Sequence, residues 1–419
     1  MNTKINNDLE ELERDLKEFR LENIDKKSKK KDNIKIFEDT KSKKDDIKED
    51  LERELKELEE SDEKENKKVK DKKQNLGQFY TTNYKYILQD LTIPKEIKKI
   101  IEPFCGNGDL LNIVDKKIHK IECYDIDPKK DFIIKRDTIS NPPSYKNSFV
   151  ITNPPYLSRN KSKNKEMFDK YDVNDLYKCH IKDLISNQPK GGILIIPLNF
   201  FCSIRLMDIE LRKNFLNLYK IIQLNIFEET VFNDTTYTVC SFQYEYNINS
   251  NEKIPITIYP SKKKISFYLN KDNNYTIGGE IYNIKKQENY IITRLIEKGK
   301  PNTNIILKAI DDNEESKIKL EIVKDEDVYY GKTTSRTYAT LLIEPHIDLK
   351  TQQNVVNDFN KYINDMRDKY NSLFLTNYRE SKKIARKRIS FDLVYKIVGM
   401  FLQEYKNIEE KKKNHNQES

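Results

Sequence analysis

Apolar positions along the chain fall into three regimes. Up to about residue 75, Ile5, Leu9, Leu12, Leu16 and Phe19 recur at alternating spacings of four and three, and Ile47, Leu51, Leu55 and Leu58 repeat the pattern. That spacing predicts amphipathic helices, either solvated or paired in a short coiled coil through which the segment would self-associate. From Asn75 to about Tyr246, short apolar runs alternate with helical patterns. Lys98 to Glu102, Lys120 to Tyr124, Phe132 to Lys135, Ser148 to Thr152, Gly192 to Pro197 and Ile221 to Ile226 read as buried strands, and Leu110 to Val114 as helix-like. Alternating strands and helices predict an α/β fold: a mostly parallel, twisted sheet covered on both faces, with ligands beyond the carboxyl ends of its strands. After Tyr246 come short β-rich pieces, Pro255 to Tyr259 and Ile265 to Tyr268. A stripe of Val355, Phe359, Tyr362, Met366, Tyr370 and Leu373 at helical spacing then reads as core. The expected organisation is a charged, partly helical or disordered extension over 1–74, the α/β domain over 75–248, an α+β domain over 249–405 and a disordered tail over 406–419.

Charge sharpens this division. The 419 residues hold 77 Lys and Arg against 69 Asp and Glu, a net +8, but the first 75 carry 22 basic and 24 acidic residues, leaving +10 on the rest. So charged an opening segment cannot bury enough apolar surface to order itself unaided, so the basic excess belongs to the folded body and can meet phosphates. The five cysteines, Cys105, Cys123, Cys179, Cys202 and Cys240, are scattered, and the four histidines have no metal-ligand spacing; neither a disulfide framework nor a metal site is expected. The N-terminus lacks a signal peptide's apolar core, and the longest apolar stretch, Gly191 to Cys202, is too short to span a bilayer. A soluble intracellular protein with no membrane partner is the expectation.

Three short segments carry chemistry. Glu102-Pro103-Phe104-Cys105-Gly106-Asn107-Gly108-Asp109 follows a strand, and its two glycines suit either a plain tight turn or a backbone that must approach a nucleotide-like ligand. Tyr124-Asp125-Ile126-Asp127-Pro128 ends the next strand, where a carboxylate can accept from ribose hydroxyls; Asp127 also suits a helix cap before Pro128. Asn153-Pro154-Pro155-Tyr156 ends the apolar Ser148 to Thr152. The prolines stiffen the backbone and leave carbonyls free, so an amide oxygen, a carbonyl and an aromatic ring stand together as acceptors and platform for an amino group on a heterocycle. The look-alike Asn141-Pro142-Pro143-Ser144 lacks both the ring and a preceding strand and reads as a loop.

In this order, with Leu76-Gly77-Gln78-Phe79-Tyr80-Thr81-Thr82 upstream, the motifs resemble the S-adenosylmethionine-dependent DNA adenine-N6 methyltransferases of gamma-type motif order. The resemblance covers roughly residues 75 to 246. It implies a Rossmann-like catalytic domain over 75–248 and a target-recognition domain over 249–405. It further implies that Thr81 holds the methionine end of the cofactor, that Glu102, Gly106 and Gly108 line it, and that Asp125 takes the ribose hydroxyls. Ile126 would pack on the cofactor's adenine and Asp137 accept from its amino group, with Tyr80, Pro103, Phe104, Cys105, Thr138 and Asn153 also around it. Asn153, Pro154, Pro155 and Tyr156 would be catalytic, the Asn153 side-chain oxygen and Pro154 carbonyl accepting both N6 hydrogens of a flipped-out adenine while Tyr156 stacks on it.

Phe232 resembles the aromatic set against the extruded base, or is an ordinary core ring. Arg379, Lys382, Lys383, Arg386, Lys387 and Arg388 form the densest basic run, either a solvated helix face or a contact to the DNA backbone, and Lys332 and Arg336 are candidate recognition residues. Double-stranded DNA is the expected partner, with a companion restriction endonuclease a further one. The same tetrapeptide also serves RNA-base and protein-glutamine methyltransferases, and a non-catalytic DNA-binding subunit would keep the fold alone.

Overall fold

The computed structural model describes residues 81–417 apart from 233–237, 249–251, 298, 312–316 and 382–383; for 376–381, 384–386 and 415–417 it describes backbone only. The 1–74 extension with its proposed self-association, Tyr80, Lys382 and Lys383 lie outside the described residues.

Chain order gives strands β1 (Lys99–Glu102), β2 (Lys120–Asp125), β3 (Ile134–Lys135), β4 (Phe149–Thr152), β5 (Gly191–Pro197), β6 (Tyr219–Phe227), β7 (Val239–Tyr246), β8 (Ile254–Tyr259) and β9 (Lys263–Phe267). They form one nine-stranded sheet ordered β3-β2-β1-β4-β5-β7-β6-β8-β9. The pairings β3–β2, β2–β1, β1–β4, β4–β5 and β6–β8 are parallel, whereas β7 runs antiparallel to both its neighbours and β9 to β8. This is the α/β fold with a mostly parallel sheet that the alternating pattern predicts. Every residue of β4 and β5 is buried, as the unbroken apolar runs Phe149-Val150-Ile151 and Ile193 to Ile196 require of central strands covered on both faces. Gly192 permits their pairing, since a Cβ there would lie 2.2 Å from the Val150 carbonyl oxygen.

Helices Leu176–Asn187 and Leu206–Leu218 supply the crossovers on either side of β5. From the second of these, Arg212 is fully buried and donates to the carbonyls of Phe200 at 2.5 Å, Ser203 at 3.1 Å and Tyr275, and to the Thr276 hydroxyl. Carbonyl dipoles thus solvate a buried cation, and burial pulls its pKa down to about 10.

Four details differ from the sequence expectation. The run Phe132 to Lys135 is a two-residue edge strand, and Phe132 and Ile134 are each 54% exposed, because β3 has a sheet neighbour on one side only. Leu110 to Val114 is a 3-10 turn, Asp109–Ile113, instead of an α-helix. β8 and β9, which the pattern places beyond residue 248, continue the first sheet: the largely buried β8 pairs with β6, and β9 pairs with β8 at the edge. The tail expected from 406 is helical, since the helix Phe391–Gln417 is nucleated by buried Leu393, Val394, Ile397, Val398 and Leu402 and held by Tyr405 donating to Asp358.

Beyond the large sheet lie two smaller antiparallel ones. The first comprises β10 (Ile291–Arg294), β11 (Ile305–Lys308), β13 (Lys319–Ile322) and β14 (Tyr338–Glu344), and the second β12 (Ile310–Asp311), β15 (Thr376–Ser381) and β16 (Ile384–Arg388). The helix Leu349–Tyr370, capped by Asp348 accepting from the Thr351 amide at 2.7 Å, buries the predicted stripe of Val355, Phe359, Met366 and Tyr370. One apolar core runs from the large sheet into this region. No helix among the described residues is long and apolar enough to cross a membrane.

Candidate active site

A cavity of about 460 Å³ opens at the carboxyl ends of β1, β2 and β4, where a mostly parallel sheet collects its loops. The β1 loop turns sharply: Gly106 and Gly108 take φ of +54° and +79°, a left-handed conformation that side chains with a Cβ resist. Asp125, at the tip of β2, ties that turn down. Its Oδ2 accepts from the Gly106 amide and its Oδ1 from the Asp127 amide, both at 2.8 Å, so the adjacent loops are built around one 4% exposed carboxylate. Ile126 stands beside it, 43% exposed and in the cavity wall.

Glu102, Phe104, Cys105, Gly106, Asp125, Ile126, Asp137, Thr138 and Asn153 all line the cavity, and so does Thr81. Pro103 and Gly108 do not; Pro103 acts from behind, its carbonyl accepting from the Thr138 hydroxyl at 2.7 Å. Glu102 is 1% exposed, and burial holds its carboxyl well above the usual range. Its Oε2 has no hydrogen-bond partner among the described residues. A buried carboxylate oxygen in that condition favours a cation or a hydrogen-bond donor in the cavity it lines.

Asn153 caps β4. Its Nδ2 donates to the Thr81 hydroxyl at 3.1 Å, and its Oδ1 accepts from the Tyr156 hydroxyl, which also lies 2.7 Å from the Ile195 carbonyl. The amide is therefore fixed by a partner at each end. Asn153 and Pro155 reach the cavity wall, but Tyr156 does not: it is 2% exposed, and its ring packs edge-on against Tyr177 at 6.2 Å. In this state the ring expected to lie at the mouth sits behind Asn153, because its hydroxyl finds acceptors beneath it.

Sequence reading missed the other wall. The segment 158–165 is pinned at its base by the Arg159 amide to the Asn174 carbonyl (2.9 Å), the Leu157 amide to Asp175 Oδ1 (3.1 Å) and the Leu176 amide to the Leu157 carbonyl (3.1 Å). The Arg159 guanidinium bonds Asp169 at 2.7 Å. The loop so held puts Lys161, Ser162, Lys163 and Asn164 against the cavity. Burial pushes Asp175 up to about 7, with Lys178 pulling the other way. Alternate lysines at 161, 163 and 165 directly after the tetrapeptide were the available signal.

The remaining candidates lie elsewhere. Phe232 is 6% exposed within the main core. Lys332 and Arg336 are exposed on the segment before β14, where Arg294 braces the turn by donating to the Ser335 carbonyl at 2.6 Å. The basic run Arg379 to Arg388 forms the β15–β16 hairpin in place of a helix face, and Lys387 donates to the Asn371 carbonyl at 3.3 Å.

No family model and no curated protein matches the chain. Among solved structures it is similar to a type I restriction-modification methyltransferase subunit from Streptococcus thermophilus, at 14% identity and a TM-score of 0.33 over 48% of this chain and 50% of that one. It is also similar to a type I restriction-modification system structure at 13% identity and TM-score 0.37 (46% and 47%), and to the type IIG restriction endonuclease BpuSI at 14% and 0.33 (54% and 36%). The chain spans about half the length of the two type I proteins. Likeness this distant carries no chemical weight.

Proposed function

We propose that the chain is an S-adenosylmethionine-dependent DNA methyltransferase acting on the N6 amino group of a flipped-out adenine. The observation that carries this reading is a single cavity joining Gly106, Asp125 and Ile126 to Asn153 and Pro155. Its volume suits a cofactor of that size, since small-molecule sites run from about 300 to 1,000 Å³.

The residues fit the cofactor. Bound there, S-adenosylmethionine supplies an electrophilic methyl group on a sulfonium. Asp137 offers a carboxylate and Glu102 an unpartnered carboxyl oxygen to a cationic, hydroxyl-bearing ligand, and Asp125 keeps lone pairs beyond the two it spends on backbone amides. Ile126 gives an apolar face for a purine.

Toward the substrate, Asn153 Oδ1 and the Pro154 carbonyl accept the two hydrogens of an exocyclic amine. This draws its lone pair out of the ring and toward the donor, a stabilisation made mainly as charge develops. Tyr156 acts here through Asn153, with its hydroxyl fixing the direction of Oδ1. As the amine nitrogen takes the methyl group the sulfur–methyl bond would break to leave a neutral thioether, the surplus amine proton would pass to water, and no covalent bond to the protein forms. Because a paired adenine cannot reach Asn153, the base must leave the duplex, at a cost of a few kcal/mol. The +10 body beyond residue 75 supports a polyanionic partner. Lys332, Arg336, Lys387 and Arg388 are our candidates for contacts outside the cavity.

Supplying labelled cofactor with unmethylated duplex DNA, RNA and protein in parallel tests the assignment. Label in DNA adenine alone is the expected result, and label confined to RNA or protein overturns it. Asn153→Ala should abolish transfer while cofactor affinity changes less than about threefold, since it removes an acceptor used mainly in the transition state.

A further inference from the structure

The cavity is electrically two-ended. Glu102, Asp109, Asp125 and Asp137 line it from the β1, β2 and β3 loops, whereas Lys161 and Lys163 line it from the loop after the Asn153 tetrapeptide. Its third cation, Arg136, is already engaged, donating to the Asn141 carbonyl at 2.7 Å and the Pro142 carbonyl at 3.1 Å with its guanidinium over the Tyr124 ring. Among the described residues neither lysine forms an ion pair or a side-chain hydrogen bond, although four carboxylates share the cavity. The loop is nevertheless well tied. Ser158 accepts from the amides of residues 161 and 162 at 2.9 and 3.2 Å, and Asn164 Oδ1 accepts from the Glu166 amide at 2.8 Å.

A sulfonium cofactor with an ammonium and a carboxylate is itself a net cation, so two lysines facing its cavity repel it and suit a different occupant. An extruded base stays joined to its sugar and to the phosphates on either side of it, which must then lie at the pocket's rim. We propose that Lys161 and Lys163 bind the backbone phosphates flanking the target nucleotide and hold the extruded base against Asn153. This rests on the reading of the chain as a DNA methyltransferase and assigns that site the anchor for its substrate.

The test uses the full chain, tritiated S-adenosylmethionine and unmethylated genomic duplex DNA, with kcat/KM for DNA measured over a range of salt concentrations. Each released counterion contributes about 0.9 to the log–log slope, so Lys161→Ala with Lys163→Ala should flatten it by roughly 1.8 and raise KM for DNA about tenfold. Cofactor affinity, measured by calorimetry without DNA, should not weaken and should tighten modestly as the repulsion is removed, while Lys161→Arg with Lys163→Arg should restore the slope by keeping both charges. An alanine variant that keeps the wild-type slope overturns the proposal while leaving methyl transfer to DNA standing. Weakened cofactor binding with an unchanged slope also overturns it, by assigning the lysines to the cofactor's carboxylate. A wild-type protein that transfers no methyl group to DNA overturns both readings together.

Discussion

Replacing Tyr156 with phenylalanine separates two roles that the sequence alone merges. The substitution keeps the ring and removes the hydroxyl that donates to Asn153 Oδ1 and lies 2.7 Å from the Ile195 carbonyl. If the ring's face matters, nothing is lost. If the hydroxyl orients the amide, Asn153 loses a bond that fixes the direction of its Oδ1 while keeping its link to Thr81 at 3.1 Å, and its side chain gains rotational freedom. A buried hydrogen bond is worth about 0.5–1.5 kcal/mol net. Since about 1.4 kcal/mol is tenfold in rate, kcat should fall roughly 2- to 12-fold. Cofactor affinity should hardly move, because the loops built on Asp125 are untouched. Single-turnover transfer of labelled methyl to duplex DNA, with cofactor binding measured separately, reads both quantities. A Tyr156→Phe variant at wild-type rate beside a Tyr156→Leu variant slowed more than about a hundredfold would refute the orienting role and return Tyr156 to stacking, after a swing out of its buried position.

Two further outcomes are expected. Asp175, buried and pushed up to about 7 from an ordinary 3.8, is favoured in its protonated form by folding. The stability it contributes is complete below the unfolded value and lost as pH rises through about 7, so the wild-type melting temperature should fall between roughly pH 5 and pH 8 by more than that of Asp175→Asn; equal pH dependence in the two proteins would contradict this. Gly192→Ala would place a Cβ 2.2 Å from the Val150 carbonyl oxygen, forcing β4 and β5 apart; a loss of about 1–3 kcal/mol or more in urea unfolding is expected, and a neutral result would show that the pairing can relax.

Much of the architecture is legible in the sequence, for local reasons. β4 and β5 announce themselves as unbroken apolar runs between turn residues, and strands buried on both faces must read so. The loops at the cavity are legible for the same kind of reason: positive φ selects glycine at 106 and 108, and a carboxylate at 125 can cap two amides at once. What was hidden depends on distant partners. Whether β8 and β9 join the first sheet is decided by β8 pairing with β6 and β9 in turn with β8, which leaves no trace in their own composition. That Arg379 to Arg388 belongs to a hairpin depends on β15 pairing with β16, which in turn pairs with the distant β12. The buried position of Tyr156 is not legible either, because a tyrosine next to two prolines says nothing of a carbonyl at Ile195, 39 residues on, that draws its hydroxyl inward.

The chemistry proposed for Asn153 also accounts for why an amide, and not a carboxylate, stands at the tip of β4. Either group could accept from an amine, and a carboxylate is the stronger acceptor. The cavity, however, already holds Glu102, Asp109, Asp125 and Asp137, and burial, reinforced by Cys123, Asp109 and Asp125, drives the Glu102 carboxyl toward its neutral form. A fifth acid in this company would have its pKa raised by desolvation and by like charge, and in its protonated state it would offer a hydroxyl donor where an acceptor is needed. It would also lose the Nδ2 hydrogens by which Asn153 is tethered to Thr81. The amide accepts at any pH, adds no charge and carries its own anchor. On the proposed function, the carboxylates of the cavity serve the cofactor and the lysines the nucleic acid, with Asn153 as a neutral acceptor for the base.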